Sequence, residues 1–132
     1  AVIRTNSKLP VGEEITPEEL LDLPLVLRER GSGTLDVFER ALQQHNIKLS
    51  SLKVLMYLGS TESIKLFLEH TDCLGIVSVR SIGRELYSGQ LRVVEIKSMP
   101  MQREFSFAQP QGQESGLAQV FMQFAIHHNH KL

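Results

Sequence analysis

The chain has 132 residues, 42% hydrophobic and 22% charged, with a net charge of −1; that suffices for one modest globular domain with a real core. So small a charge builds in no general attraction to nucleic acid or membrane surfaces. The apolar runs fall far short of the roughly 20 residues a membrane span needs, and a lone cysteine, Cys73, excludes an internal disulfide framework.

In chain order, Ala1 to Arg4 is short, apolar and β-branched and reads as a strand. AVIRTNSKL has no basic region followed by a long apolar one, so it is not read as a secretory signal. With the single cysteine, this makes a soluble protein of a reducing cytoplasm the expectation. In ITPEELLDLP, Thr16, Pro17 and Glu19 supply an N-cap, a proline at the first helical position and a capping-box acid. A short helical turn is predicted there, stopping before Pro24. Leu25 to Leu27 reads as a buried strand that runs into RERGSGT.

From Thr34 to His45, Leu35, Phe38, Ala41 and Leu42 recur at spacings of three and four, which predicts an amphipathic helix. LKVLMYL, residues 52 to 58, is an apolar run of strand length. After Gly59-Ser60-Thr61 a second helix is expected, with Ile64, Phe67 and Leu68 on one side and Glu62, Lys65 and Glu69 on the other. LGIVSV, from Leu74, is the next strand. The segment 84 to 96 holds a turn at Ser88-Gly89 and a strand-like LRVVEI. Residues 104 to 108 alternate, with Phe105 and Phe107 on one face, and read as a strand. PQGQESG is a loop, and Leu117, Val120, Phe121 and Phe124 define a last helix that fades into HHNHKL.

Apolar runs joined by helices predict an α/β fold with a mostly parallel sheet. Residues 24 to 96 could bury themselves, whereas the phenylalanines beyond residue 103 have little left to pack against. Together with a start inside a strand, this leads to the expectation of a piece of a larger, two-lobed unit.

GSGT (31–34) and GST (59–61) both fall where a strand ends and a helix begins. The first N–H groups of a helix lack intrahelical partners there, and the positive end of its dipole points outward. In a parallel sheet such turns share the carboxyl edge, where ligands bind, and a carboxylate, sulfate or phosphate is the natural guest. The plainer alternative is that the serines and threonines only cap their helices, at about 1 kcal/mol each. GSGT is neither a phosphate-binding P-loop nor a three-glycine dinucleotide fingerprint nor a nucleophile elbow.

Three other features have two readings each. His127, His128 and His130 suggest a metal, but a fraying helix end, where cations suit the dipole, accounts for them better. Cys73 could sense redox state if exposed and acidic; as a residue beside a strand it reads as a small buried hydrophobe. Arg28 and Arg30, which flank the opening turn, could pair with an anionic ligand, or simply make exposed ion pairs with neighbouring Glu29.

LPLVLRERGSGTLDVFERAL resembles the middle of the effector-binding domain of LysR-type transcriptional regulators, where a strand enters an arginine-acid-x-Gly-Ser-Gly-Thr turn and then a helix containing Phe. LGSTESIKLFLEHTDCLGIVSVRSI is similar to that family's next unit, ELYSGQLRVVEI to its acid-Leu-x-x-Gly-x-Leu segment, and TPEELLDLPLV to its entry into this lobe. The four motifs stand in register over almost the whole chain. The sequence departs from the pattern in two places: Asp72 and Cys73 precede Leu74-Gly75-Ile76 where the family has Gly-Leu-Gly-Ile, and Ser63 replaces an alanine.

The resemblance implies a type 2 periplasmic-binding-protein-like lobe, with the first lobe largely missing. It places residues of about 13–100 in the second lobe, and 1–12 and 101–132 as crossing into or belonging to the first. It implies no DNA-binding domain in this chain, a winged helix-turn-helix for DNA elsewhere in the full protein, and a homodimer or tetramer. It carries the effector contacts onto Ser32, Gly33, Thr34, Ser60 and Thr61, with no cofactor, no metal and no catalysis. The rivals are a solute-binding protein of a transport system with the same fold, and an enzyme, for which Ser32 and Ser60 have no histidine nearby in sequence.

Overall fold

The structure, a computed structural model, describes residues 1–103, 108, 111–112 and 116–128. It divides into two units, Ala1–Gln102 and Arg103–Leu132. In the first, strand alternation sorts side chains between two apolar clusters. Leu25 and Leu27 of β3 (Pro24–Arg28) join one, and Val26 joins the other, because successive strand residues point to opposite faces. β1 (Val2–Arg4) divides Ile3 and Val2 in the same way. Helix α1 (Gly33–Gln44) covers the first face with Leu35, Phe38, Ala41 and Leu42, and α2 (Thr61–His70) covers the second with Ile64 and Leu68.

The main sheet has the order β4 (Lys53–Leu58), β3, β5 (Leu74–Gly75), β1, β6 (Leu91–Val93). β3 is parallel to β4 and β5, and β1 is antiparallel to β5 and β6. Four strands therefore run one way and β1 runs against them. This is the expected α/β architecture with a mainly parallel sheet. Residues at the start of the chain thus contribute an inner strand to this sheet.

The capping box forms as read: Thr16 N–H donates to Glu19 Oε2 at 2.6 Å, and Glu19 N–H to Thr16 Oγ1 at 3.3 Å. It starts only a 3-10 turn, Glu18–Leu21, which Pro24 soon cuts off. Other expectations need correction. The strand from Leu74 stops at Gly75, and Val79–Ile82 is a 3-10 turn leading into α3 (Gly83–Tyr87), a helix that too few periodic residues had announced. LRVVEI is two strands, since β6 pairs with β1 while β7 (Glu95–Ile96) pairs with the short β2 (Glu14–Ile15). The strand read at 104–108 lies outside the described residues, except residue 108.

Lys65 also departs from the polar face assigned to it. It is buried, with Nζ 2.9 Å from Glu62 Oε1 and 3.1 Å from Glu85 Oε1 of α3. The hydrogen bond to Glu62, foremost, holds its pKa above the ordinary lysine value. α3, invisible to the periodicity, is what covers it. β4 is an edge strand, and its Leu55, Met56 and Tyr57 remain about half exposed.

In the second unit, α4 (Gly116–His128) buries none of its side chains; Leu117, Val120, Phe121, Phe124 and Ile126 are exposed. Phe105 and Phe107 lie outside the described residues.

Among the described residues Phe38 is the largest fully buried side chain. Truncation to alanine is expected to cost about 3–5 kcal/mol, measured as a lowered midpoint in chemical denaturation with an unchanged slope.

Candidate effector edge

The parallel pairing of β3 with β4 sets the geometry. Its last register pair is Arg28 with Leu58, and Glu29 N–H continues it to the Leu58 carbonyl at 3.1 Å. Both strands therefore end at the same level, and both glycine-serine turns rise from one edge. Gly31, at φ +90°, supplies the left-handed residue that turns the chain into α1. Gly75 of β5 serves packing instead: a Cβ there would lie 2.9 Å from Leu68 Cδ1, so its absence lets α2 settle onto the sheet.

The two turns differ in how they cap. Ser60 behaves as the plainer alternative foresaw: its Oγ accepts the Ser63 N–H at 3.1 Å and lies 2.8 Å from Ser63 Oγ. Ser63, one of the two departures from the family pattern, thus occupies the hydroxyl of Ser60. Ser32 is the N-cap residue of α1, yet its side chain makes no capping bond, although the residue is only 8% exposed. Gly33 and Thr34 are partly buried in the first turn of α1. Thr61, the first residue of α2, accepts from Arg28 Nη1 at 3.4 Å. That bond joins the strand before GSGT to the helix after GST.

Strand alternation explains where Arg28 sits. Val26 faces α2, and so does Arg28 two residues later. Among the described residues its guanidinium makes only long contacts: 3.4 Å to Thr61 Oγ1, and 3.5 Å each to the Gly59 carbonyl and Glu29 Oε1. Its Nε is buried without a hydrogen-bond partner among the described residues. Of the two readings of Arg28 in the sequence, the ion pair with Glu29 is present, but stretched. Arg30 is exposed and makes no ion pair among the described residues. No pairing pattern in the sequence singles out Arg28 over Arg30; the β register does.

The other side chains with two readings are resolved as follows. Cys73 is fully buried, and burial, followed by the charge of Asp72, pushes its thiol up to about 11. A thiol in that state is inert at neutral pH. His127 and His128 each set Nδ1 against the helix carbonyl four residues back, at 2.8 and 2.9 Å. His130 lies outside the described residues, and among those described no three His, Cys, Asp or Glu residues are grouped to hold a metal. No described helix is long and apolar enough to cross a membrane.

The family model "LysR substrate binding domain" matches residues 1–129. The chain belongs to this family. The LysR domain is 32% identical over 124 residues to the RuBisCO operon transcriptional regulator of Acidithiobacillus ferrooxidans, covering 93% of the chain and 39% of that protein. It is 30% identical over 131 residues to the HTH-type transcriptional activator CmpR of Synechocystis, covering 97% of the chain and 42% of that protein. The chain thus spans about two fifths of the length of the curated relatives it matches. These relatives are transcriptional regulators, not solute carriers of a transport system. Among solved structures, the regulatory domain of Synechocystis CcmR, in complex with 2-PG, superposes with a TM-score of 0.79 at 24% identity, covering 96% of this chain and 60% of that one. The fold is therefore that of a LysR regulatory domain.

In this LysR domain the second departure, Asp72, is a staple. Its Oδ1 accepts from Arg4 Nε and Nη2 at 3.0 and 2.8 Å, from Ser7 Oγ at 2.8 Å and from the Lys8 N–H at 3.1 Å. These bonds tie the segment after β1 to the loop between α2 and β5. The Arg4 guanidinium first, and then Ser7 and Lys8, hold the carboxyl below its ordinary value.

Two predictions follow from these bonds. Ser60→Ala removes a cap and is expected to cost about 1 kcal/mol, whereas Ser32→Ala, with no capping bond to lose, costs less; denaturant titrations of the two variants give the comparison. For Asp72 the folded pKa is depressed, so its contribution is complete above the unfolded value of 3.8 and fades as pH falls through the folded value. Asp72→Asn therefore lowers Tm at pH 7, and the gap to the wild type closes as the buffer is taken well below pH 3.8.

Proposed function

We propose that this chain is the ligand-sensing part of a LysR-type transcription regulator, taking a small polar or anionic effector between two lobes. Ser32, Gly33, Thr34, Ser60 and Thr61 are its contacts in this lobe. The observation that carries this reading is the shared edge: register pairing of β3 and β4 brings two helix N-termini side by side. Each offers unpaired N–H groups and a positive dipole end, so their combined preference is for an oxyanion. The CcmR domain of the same fold was solved with 2-PG, which supports a small molecule as the ligand class.

The lobe assignment follows the same reading. Residues of about 13–100 are the second lobe, joined by β1 as an inner strand of their sheet, and 101–132 cross into or belong to the first. The exposed apolar residues of α4 support this, since an exposed apolar patch marks a surface that packs against something else. Effector binding shifts the protein between arrangements only by binding one of them more tightly. That shift reorients a DNA-binding helix-turn-helix that lies outside this chain, in a cytoplasmic homodimer or tetramer. No bond-making step is required, and the domain is not an enzyme.

The test is a thermal-shift series on the intact protein that carries this chain, with 2-PG, inorganic phosphate and small carboxylates. A ligand at 100 times its Kd stabilises the fold by about 2.7 kcal/mol. The expected result is a rise in Tm for the wild type that is lost in the Ser32→Ala, Ser60→Ala double variant. An equal rise in both would remove these serines from the site.

A further inference from the structure

The electrostatics around Arg28 are unbalanced in a way that a ligand would correct. Its guanidinium touches the first residue of α2, the positive end of that helix's dipole, where a cation is unfavourable and an anion welcome. Among the described residues its hydrogen bonds are 3.4–3.5 Å long and its buried Nε has no partner, whereas charge-assisted bonds close to about 2.7–2.9 Å when well formed. The side chain is only 22% exposed, so water compensates little. Nearby, Ser32 is buried without a cap bond of its own.

One carboxylate already lies at this spot. Glu29 Oε1 pairs with Arg28, while Oε2 lies 2.7 Å from the point a Cβ on residue 59 would occupy. The carboxylate thus fills the space that glycine leaves open at the entrance to α2. The other acid of that helix end, Glu62, is committed to Lys65 at 2.9 Å.

We propose that Arg28 is the cation that receives the effector's oxyanion, and that the Glu29 carboxylate, resting over Gly59, is an internal stand-in which the oxyanion must displace. The inference rests on the effector reading given above and adds to it the ligand-binding charge and its built-in competitor. It also gives Gly59 a role: the missing methyl is where the competitor parks. Arg28 is held there by its strand register and is largely buried, so it is preorganised, while the half-exposed Glu29 side chain is free to swing into solvent. A ligand must therefore outbid a weak ion pair, which favours phosphate-like dianions over monoanions.

The test is isothermal titration of the intact protein with inorganic phosphate at constant ionic strength. Glu29→Gln is expected to tighten binding about two- to fivefold, the worth of a partly exposed ion pair. Gly59→Ala is the decisive variant, because it changes no charge: its methyl meets only the end of a flexible side chain, pushes Glu29 aside and tightens binding in the same range. Arg28→Gln weakens binding about tenfold or more, and Arg28→Lys restores only part of it. Glu62→Gln serves as the control for bulk charge and leaves Kd within twofold. If it tightens binding as much as Glu29→Gln, or if Gly59→Ala does not tighten it, the stand-in role is overturned. If Ser32→Ala and Ser60→Ala abolish binding while the Arg28 and Glu29 variants leave it unchanged, the effector edge stands and this inference alone falls. Failure of wild type, Glu29→Gln and Gly59→Ala alike to bind phosphate overturns the inference outright, while the 2-PG and carboxylate series continues to test the edge.

Discussion

The pairing of β3 with β4 is the constraint from which the rest of the domain follows. Parallel strands cannot be joined by a tight hairpin, so the chain must cross back over the sheet, and α1 is that crossover. The crossover buries Phe38 and its neighbours against Leu25 and Leu27, while the next one, α2, is free to cover Val26 from the opposite side. The same pairing makes both strands end level, at Arg28 and Leu58. Packing and site geometry thus have one origin. A slip of one residue in this register would turn Arg28 toward α1 and take its charge away from the edge where both turns rise.

The edge joins two helix ends of different character. Ser60 is engaged as a cap, its Oγ accepting the Ser63 N–H and pairing with Ser63 Oγ. Ser32 withholds its hydroxyl from α1, and Arg28 withholds Nε from every described neighbour. Stability is thus concentrated on the α2 side, and unspent hydrogen-bonding capacity on the β3 side. Sites built on rigid elements hold such groups in place at little cost when a ligand binds. Asp72 performs a comparable service on the far side of the sheet, where four donors converge on one carboxylate oxygen and fix the segment that follows β1.

Local signals were legible where a few adjacent residues decide the outcome. The periodicity of Leu35, Phe38, Ala41 and Leu42 gave α1 almost to its ends, and Thr16 with Glu19 gave a capping box that exists bond for bond. The turns GSGT and GST were visible because glycine and hydroxyl residues at a strand-to-helix junction are rare outside caps and anion sites. α3 was illegible: five residues make little more than one turn, too short for a period to show. The break in LRVVEI was equally hidden, since β6 and β7 are told apart only by which distant strand each one meets.

By itself the sequence determined the class of the fold, the helix–strand alternation, the two turns and the family, because each of these is written in spacings of a few residues. It left Lys65 on a polar face, Arg28 no more telling than Arg30, and Ser32 equal to Ser60. Tertiary structure decided those three matters. Burial of Lys65 depends on α3 arriving over it, 20 residues later in the chain. The position of Arg28 depends on strand direction and register, and the difference between the serines on whether a neighbouring donor reaches each hydroxyl. Charge and hydrogen bonding act over a few ångströms, and which groups come that close is settled only when distant segments pack.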